Sequence, residues 1–224
     1  MSIAKAAIWD GSLQRQVQQG DIVAGSEVVP ATDTNAAKTV TAANLSQGII
    51  LRSAGGAMTD TIDSAANIIA GLLANIGFQN VPNANPAQGA LQPGTTFRVR
   101  WVVSTANAVT VQATANTGVT VNRGTVAAST SKDFLITINN GTPIQTFAAS
   151  TTNASAVVSG LSQAQLQQLT PGMVVTNAVN GLQGTTIQAI NYAAGTLTLS
   201  GNANATTTVP VAITFSPVVT VDGL

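Results

Sequence analysis

Aspartate and glutamate are the main acid–base groups of this chain, because its 224 residues include no histidine and no cysteine. General acid–base catalysis depends on histidine or on carboxyl groups with shifted pKa values. Nucleophilic catalysis needs Ser, Thr or Cys beside a base. The common catalytic triads are therefore excluded, and any acid–base chemistry must come from the eight carboxylates or from lysine.

Asp60 and Asp63 are the only two acidic residues that lie close together in the sequence. Two carboxylates can hydrolyse a glycosidic bond when the fold sets them at the required separation. The alternative is that both lie at the start of a helix, where capping and the helix dipole favour acidic side chains. The sequence favours the helix start, and a polysaccharide-cleaving enzyme is the minor hypothesis.

Other patterns that could carry chemistry are weaker. A Ser–Lys dyad would have to use one of three lysines, and the run Ser131-Lys132-Asp133 is typical of a solvated turn. The glycine-rich run Ser53–Gly56 lacks the lysine of a phosphate-binding loop, and no EF-hand spacing occurs. We therefore expect no catalytic residue, no metal site and no cofactor.

Arg98 and Arg100 flank Trp101 in an alternating run, a pattern loosely similar to a base-stacking face for nucleic acid. However, the formal net charge is zero and only 7% of residues are charged. Binding to nucleic acid and to anionic membranes both depend on clustered Lys and Arg. We therefore expect neither partner, and we assign the two arginines to a solvent-facing or subunit-facing surface with Trp101 in the core.

The elements that position these residues are predicted to be mainly β-strands. Residues 95–138 alternate apolar and polar side chains and are punctuated by Asn/Gly turns. The Thr, Ser and Asn that must cover the surface are also poor helix formers. The predicted fold is a β-sandwich or barrel with one short helix at residues 64–73, plus a second small β-barrel module. Thr61 or Asp63 would cap the helix, and its buried stripe would be Ile62, Ala66, Ile69 and Leu73.

The placement of charge divides the chain. After Lys132 and Asp133 the next charged residue is Asp222, and this composition shift predicts at least two structural units. The predicted units are an N-terminal arm at residues 1–45, a sandwich at 46–147 together with 216–224, and a neutral module at 148–215. We favour insertion of the neutral module between two strands of the sandwich; domains in tandem are the alternative.

The predicted arm contains Ile8, Trp9, Leu13 and Val17, whose spacing would fit one helical face. Trp9 lies outside any obvious core, and a lone exposed tryptophan often anchors an interface. We therefore predict that Ile8, Trp9 and Leu13 contact a partner protein or a sister subunit. A flexible terminus and a local packed cluster are the alternatives.

Three stretches of the sequence resemble a known group of proteins. Residues 41–72 contain an Arg, a Gly-Gly pair and a Thr-Asp turn before a short Ala/Ile helix, and residues 97–141 contain Thr/Val strands around a Gly-Val-Thr turn. Residues 151–215 contain LTPGMVVT, GTTIQAI and GTLTLSGNAN. Together they resemble bacteriophage capsid decoration (cement) proteins and head-fibre-like virion proteins.

The resemblance implies a non-enzymatic structural protein of the virion. Such a protein would bind the outer surface of the phage head, bridge subunits of the major capsid protein and associate with itself as a homotrimer. Binding only the assembled shell would stabilise that shell by mass action. The alternative is a tail fibre or receptor-binding protein that recognises host surface glycans, although eight aromatic residues are few for glycan sites.

The predicted location follows from the same features. Residues 1–11 show no apolar signal-peptide core, and no apolar stretch approaches the roughly 18 residues that suggest a membrane span. We therefore expect synthesis in the host cytoplasm followed by incorporation into the virion at the capsid surface.

Overall fold

The computed structural model describes residues 7–9, 14–16, 36–75, 91, 93–176, 180–207 and 209–224. Within these ranges the protein is mainly β, which confirms the fold class predicted from the sequence. In the N-terminal segment, β1 (Ala7–Trp9) pairs antiparallel with β2 (Gln14–Gln16). The other described strands form one sheet of five strands, one of six and one of four.

The first core lies between two sheets, which form a sandwich. The five-stranded sheet consists, in spatial order, of β4 (Ile49–Arg52), β6 (Thr96–Val103), β10 (Ser131–Asn140), β17 (Val218–Gly223) and β8 (Val119–Asn122). The four-stranded sheet consists of β3 (Thr39–Val40), β5 (Met58–Ile62), β7 (Val109–Ala113) and β9 (Thr125–Val126). Alternate side chains of these strands enter the shared core, as the period-two pattern predicts. Trp101 and Phe134 meet there edge to face, with ring centroids 4.8 Å apart.

Two helices cover this core. α1 (Ala42–Ser46) and α2 (Ala65–Asn75) pack so closely that a Cβ atom at Gly71 would lie 2.5 Å from the Cβ of Ala42. α2 begins after Ser64, whose hydroxyl accepts a backbone N–H of the first turn. Its buried residues are Ala65, Ile68, Ile69 and Leu72.

The start and the buried face of α2 differ from the sequence prediction. Ser64, rather than Thr61 or Asp63, caps α2, and the buried stripe is shifted because Ile62 ends strand β5. Pairing of β5 with β7 continues to Ile62 and holds this residue in extended conformation. β3 and α1, which fall within the predicted arm at residues 1–45, bury Val40 and Leu45 in the core.

The second core belongs to an antiparallel six-stranded sheet. In spatial order its strands are β13 (Val174–Val175), β16 (Val211–Ser216), β11 (Gln145–Thr151), β12 (Val157–Ser159), β15 (Thr196–Leu199) and β14 (Ile187–Asn191). A short helix, α3 (Gln163–Leu166), packs Leu166 into this core. Phe215 and Met173 are fully buried beside it.

The six-stranded sheet is curled but is not the closed barrel that the sequence predicted. Its two edge strands, β13 and β14, meet through a bridge between Val174 and Thr186. The N–H of Ile187 also donates to the carbonyl oxygen of Met173 at 2.9 Å. These few bonds bring the sheet edges together without a continuous ladder of paired strands.

The chain leaves the sandwich after β10 and returns to it as β17. These two strands are antiparallel neighbours, and Asn140 is the partner of Val218. Between them lie all strands of the six-stranded sheet and its separate core. This is the connectivity that an inserted module would have, although the predicted domain boundaries stay a prediction.

Buried polar residues join the two parts of the chain. The Asn140 side chain donates to the hydroxyl of Thr170 and to the carbonyl of Pro171, both at 3.0 Å. The hydroxyls of Thr142 and Thr170 lie 2.6 Å apart. Asn140 and Thr142 are both buried, so these hydrogen bonds are protected from water.

Candidate functional site

The most concentrated polar chemistry among the described residues is a buried ion pair. The Nη2 of Arg52 lies 2.9 Å from Oδ1 of Asp60, and the two side chains are 1% and 0% exposed. Arg52 is the last residue of β4, and Asp60 lies in the middle of β5. The pair therefore connects the two sheets of the sandwich across their shared core.

Trp101 and Met58 complete the surroundings of this pair. The indole N–H of Trp101, on β6, donates to Oδ2 of Asp60 at 3.3 Å. The Nη2 of Arg52 also lies 3.1 Å from the sulfur of Met58. We call Arg52, Asp60 and Trp101 the inter-sheet clasp, because two of its members lie on the five-stranded sheet and one on the four-stranded sheet.

The clasp also binds the backbone near the start of the sandwich. Arg52 Nη2 donates to the carbonyl oxygen of Ala36 at 2.6 Å, and the backbone N–H of Lys38 donates to Asp60. Burial raises the pKa of Asp60, while the Arg52 guanidinium and the donated hydrogen bonds act in the opposite direction. Buried ion pairs of this kind are weak evidence for stability, because desolvation offsets their attraction.

Asp60 and Asp63 have separate partners and do not form an exposed pair of carboxylates. Asp60 is fully buried in the clasp. Oδ1 of Asp63 accepts the N–H of Ser64 at 2.7 Å and the side-chain amide of Asn67 at 2.9 Å, at the start of α2. This arrangement favours the helix-start interpretation for Asp63 and gives the glycosidase hypothesis no accessible Asp60.

Arg98, Arg100 and Asp133 form a cross-strand cluster on the outer face of the five-stranded sheet. Arg100 binds Asp133 through two bonds, of 2.6 and 3.0 Å, and Arg98 lies 3.6 Å from the same carboxylate. The hydrogen bond from Arg100 is the main reason that the pKa of Asp133 is lowered. The two arginine side chains are 58% and 53% exposed, whereas Trp101 is buried. The expected separation of a core tryptophan from surface arginines is present.

The run Ser131-Lys132-Asp133 lies in β10, so its assignment to a turn was wrong. Alternation with Phe134 and Ile136 continues back to Ser131, because this strand pairs with β6 along its whole first half. Lys132 donates to the carbonyl oxygens of Arg123 and Thr125, and its ammonium lies 5.6 Å from the ring centroid of Phe134. The lysine is thus used for structural contacts.

The predicted contact residues of the arm are only partly described. Ile8 and Trp9 lie in β1, paired with Arg15 and Gln14, so the helical face proposed for them is replaced by a strand. A strand pair needs no period of 3.6, and this is why spacing alone misled the prediction. Leu13 lies outside the described residues. Their predicted role in contacting another subunit stays a prediction.

The surface of the second module is neutral. No Lys, Arg, Asp or Glu occurs between Asp133 and Asp222. Its exposed residues include threonine pairs such as Thr146 and Thr214, whose hydroxyls lie 3.0 Å apart. Larger exposed apolar side chains in and next to this sheet are Ile144, Val157, Tyr192 and Val209.

Arg52 is the important polar residue that sequence reasoning missed. The available signal was its position two residues after Ile50, which places both side chains on the inward face of the same strand. Asp60 occupies an inward position of β5 in the same way. A buried Arg and a buried Asp on separate strands form a pair only when the sheets face each other, which the local sequence does not specify.

Comparisons with protein-family models, with curated proteins and with solved structures found no match. Among the described residues, no group of three or more acidic side chains is arranged to hold a metal ion. None of the described helices has the length and apolar character needed to cross a membrane.

Proposed function

We propose that this protein is a non-enzymatic structural protein of a virus particle, a capsid decoration protein that binds the outer surface of a phage head and bridges major capsid protein subunits. It would associate with itself, as a homotrimer, on that surface. The proposal rests on the resemblance of residues 41–72, 97–141 and 151–215 to such proteins, and on the physical properties of the second module.

The observation that carries most of the proposal is the uncharged surface of the second module. Its core is separate, its sheet is well paired, and its exposed side chains are mainly Thr, Ser, Asn, Gln and Ala. Copies with zero net charge can crowd on a lattice without the mutual repulsion that strongly charged proteins experience. The same composition favours association in solution, because few charges keep such surfaces apart.

The polar clusters of the sandwich support a structural role over a catalytic one. Asp60 and Arg52 hold each other and nearby backbone groups inside the core. Arg100 and Asp133 bind each other across β6 and β10, and Lys132 donates to the carbonyl oxygens of Arg123 and Thr125. Each of these charged side chains thus has a defined structural contact.

The first experiment locates the protein on particles purified from its source lysate, using a gold-labelled antibody and electron microscopy. We expect label distributed over the head. Label confined to the tail tip would replace the proposal with the receptor-binding alternative, for which the half-exposed Tyr192 is the most suitable aromatic contact. Particles without label would overturn a virion role.

A pair of variants tests the mode of binding on purified heads. We expect Trp9→Ala to weaken binding to heads by roughly tenfold or more, since buried tryptophan anchors contribute at least about 2 kcal/mol. Tyr192→Ala is the matched control and should bind heads normally. Equal binding by both variants would contradict the role of the arm, and loss of glycan binding by Tyr192→Ala alone would favour the receptor-binding alternative.

A further inference from the structure

Both charged groups of the inter-sheet clasp form hydrogen bonds with one short stretch of backbone. The guanidinium of Arg52 donates to the carbonyl oxygen of Ala36, and the carboxylate of Asp60 accepts the N–H of Lys38. Ala36 is exposed and Lys38 is partly exposed, whereas the charged groups that bind them are fully buried. The clasp therefore extends from the centre of the core to the backbone of Ala36 and Lys38, which precede β3.

This use of charge explains why a polar pair occupies the core. An apolar pair of similar volume could fill the space and is often as stabilising as a buried ion pair. It could not bind a carbonyl oxygen and an N–H group of the same backbone segment. Arginine suits the first task because its Nη2 has two N–H donors, one for Ala36 and one for Asp60. Asp60 neutralises the charge of Arg52 and still accepts bonds from Trp101 and Lys38.

The backbone held by the clasp is otherwise weakly attached. β3 contains only Thr39 and Val40, and it pairs with β5 at the edge of the four-stranded sheet. The carbonyl oxygen of Lys38 accepts the N–H of Thr61 at 2.8 Å. A two-residue edge strand provides few hydrogen bonds, so the bonds from Arg52 and Asp60 form a large share of what fixes residues 36–38.

We propose that the Arg52–Asp60 ion pair is an anchor for the backbone segment at residues 36–38, which it fixes to both sheets of the sandwich. A force or a partner acting on the segment is transmitted through Arg52 and Asp60 to the five-stranded and four-stranded sheets together. The anchor acts within the isolated protein and does not require the proposed place in a virion.

Limited trypsin digestion tests the anchor, because the bond after Lys38 lies in the held backbone. The variant Arg52→Met with Asp60→Leu replaces the pair by apolar residues. We expect cleavage after Lys38 to become about tenfold faster or more, since two protecting hydrogen bonds are lost and cleavage follows the population of the open form. Cleavage after Arg100, in the central strand β6, should keep its wild-type rate because the sandwich stays folded.

The exposed ion pair of Arg100 and Asp133 provides the matched control. Arg100→Met with Asp133→Leu removes a second cross-strand Arg–Asp pair and should leave cleavage after Lys38 unchanged. The control variant has no trypsin site at position 100. Its global opening is therefore measured by cleavage after Arg98, which lies in the same strand. Equal acceleration after Lys38 in both double variants would show a general loss of stability and would overturn the anchor.

A conservative variant keeps the test decisive if the apolar pair does not fold. Arg52→Lys retains a positive charge for Asp60, but its ammonium ends one bond short of the position of Nη2, from which Arg52 binds both Asp60 and Ala36. We expect faster cleavage after Lys38 with unchanged cleavage after Arg100. Wild-type cleavage after Lys38, or parallel acceleration at both sites, would overturn the proposal.

Discussion

Arg98, Arg100 and Asp133 show how a cross-strand position determines the strength of a surface interaction. Asp133 is the direct strand partner of Arg100, while Arg98 is the partner of Leu135 and reaches the carboxylate diagonally. Direct partners lie closer than diagonal ones, and a two-bond arginine–carboxylate contact fixes both groups. The pKa of Asp133 is therefore set more by Arg100 than by Arg98.

A pH titration followed by NMR tests this difference. We expect the pKa of Asp133 to lie below the value of about 3.9 for a free aspartate. Because the folded pKa is depressed, the stabilising contribution is complete above the unfolded value and is lost as pH falls through the folded pKa. Arg100→Gln should raise the pKa of Asp133 more than Arg98→Gln does; an equal rise would contradict the assigned geometry.

Alternation in the sequence predicted which face of a strand a side chain occupies, but it did not predict which other residues that side chain contacts. The alternation of Phe97, Val99 and Trp101 correctly placed Trp101 in the core and the arginines outside. The partners of Asp60 could not be found in the same way, because Arg52 and Trp101 meet it from another sheet. Hydrogen bonds formed across a core depend on how the sheets pack, and the spacing of residues within one strand does not determine that packing.

Elements were predictable where an apolar period was strong and were missed where it was weak. The strand Val109–Ala113 lies within the alternating run at residues 95–138 and was predicted. β11 was missed because its sequence, Gln145–Thr151, is mostly small and polar. α1 was missed because a five-residue helix has too few turns for a period, although Thr41 and Asn44 form a capping box at its start.

The connection between β8 and β9 leaves no room for a side chain at Gly124. Gly124 separates β8 from β9, and its carbonyl oxygen accepts the N–H of Val111 on β7 at 2.9 Å. A Cβ atom at Gly124 would overlap the carbonyl oxygen of Val111, which belongs to backbone and cannot rotate away. The path of the chain from β8 to β9 therefore depends on glycine at this position.

Gly124→Ala should destabilise the sandwich by about 1–3 kcal/mol, the usual cost of forcing extra atoms into a packed region. The measurement is urea unfolding followed by the fluorescence of buried Trp101. Gly56→Ala is the matched control, since a Cβ atom at Gly56 meets nothing within 4 Å. Equal unfolding midpoints for the two variants would show that the strands can separate at low cost.

At the scale of the whole molecule, the sandwich and the second module are connected at neighbouring points. Asn140 pairs with Val218 in the sandwich, and Gln145 pairs with Phe215 in the second module. The chain therefore enters and leaves each part at adjacent positions of an antiparallel pair. The charge boundary suggested this arrangement, but the hydrogen bonds from Asn140 to Thr170 and Pro171 could not be predicted from the sequence.

Replacing residues 141–217 by a two-residue Asn-Gly turn should leave a folded sandwich. The new turn would join two residues that are already strand partners, and Asn-Gly is well suited to a two-residue hairpin. We expect reduced stability, because Gly141 no longer packs on Leu91, but a cooperative unfolding transition and the buried Trp101 signal should persist. A chain without cooperative unfolding would show that the sandwich requires the second module to fold.

The uncharged stretch between Asp133 and Asp222 gives the two halves of the molecule different responses to solvent. The second module contains no Asp, Glu, His, Cys, Lys or Arg. Its surface also has no ion pair for dissolved salt to screen. Proton concentration and ionic strength therefore alter the contacts of the sandwich, through Asp133 and the arginines, while the contacts of the second module keep the same electrical character from one environment to the next.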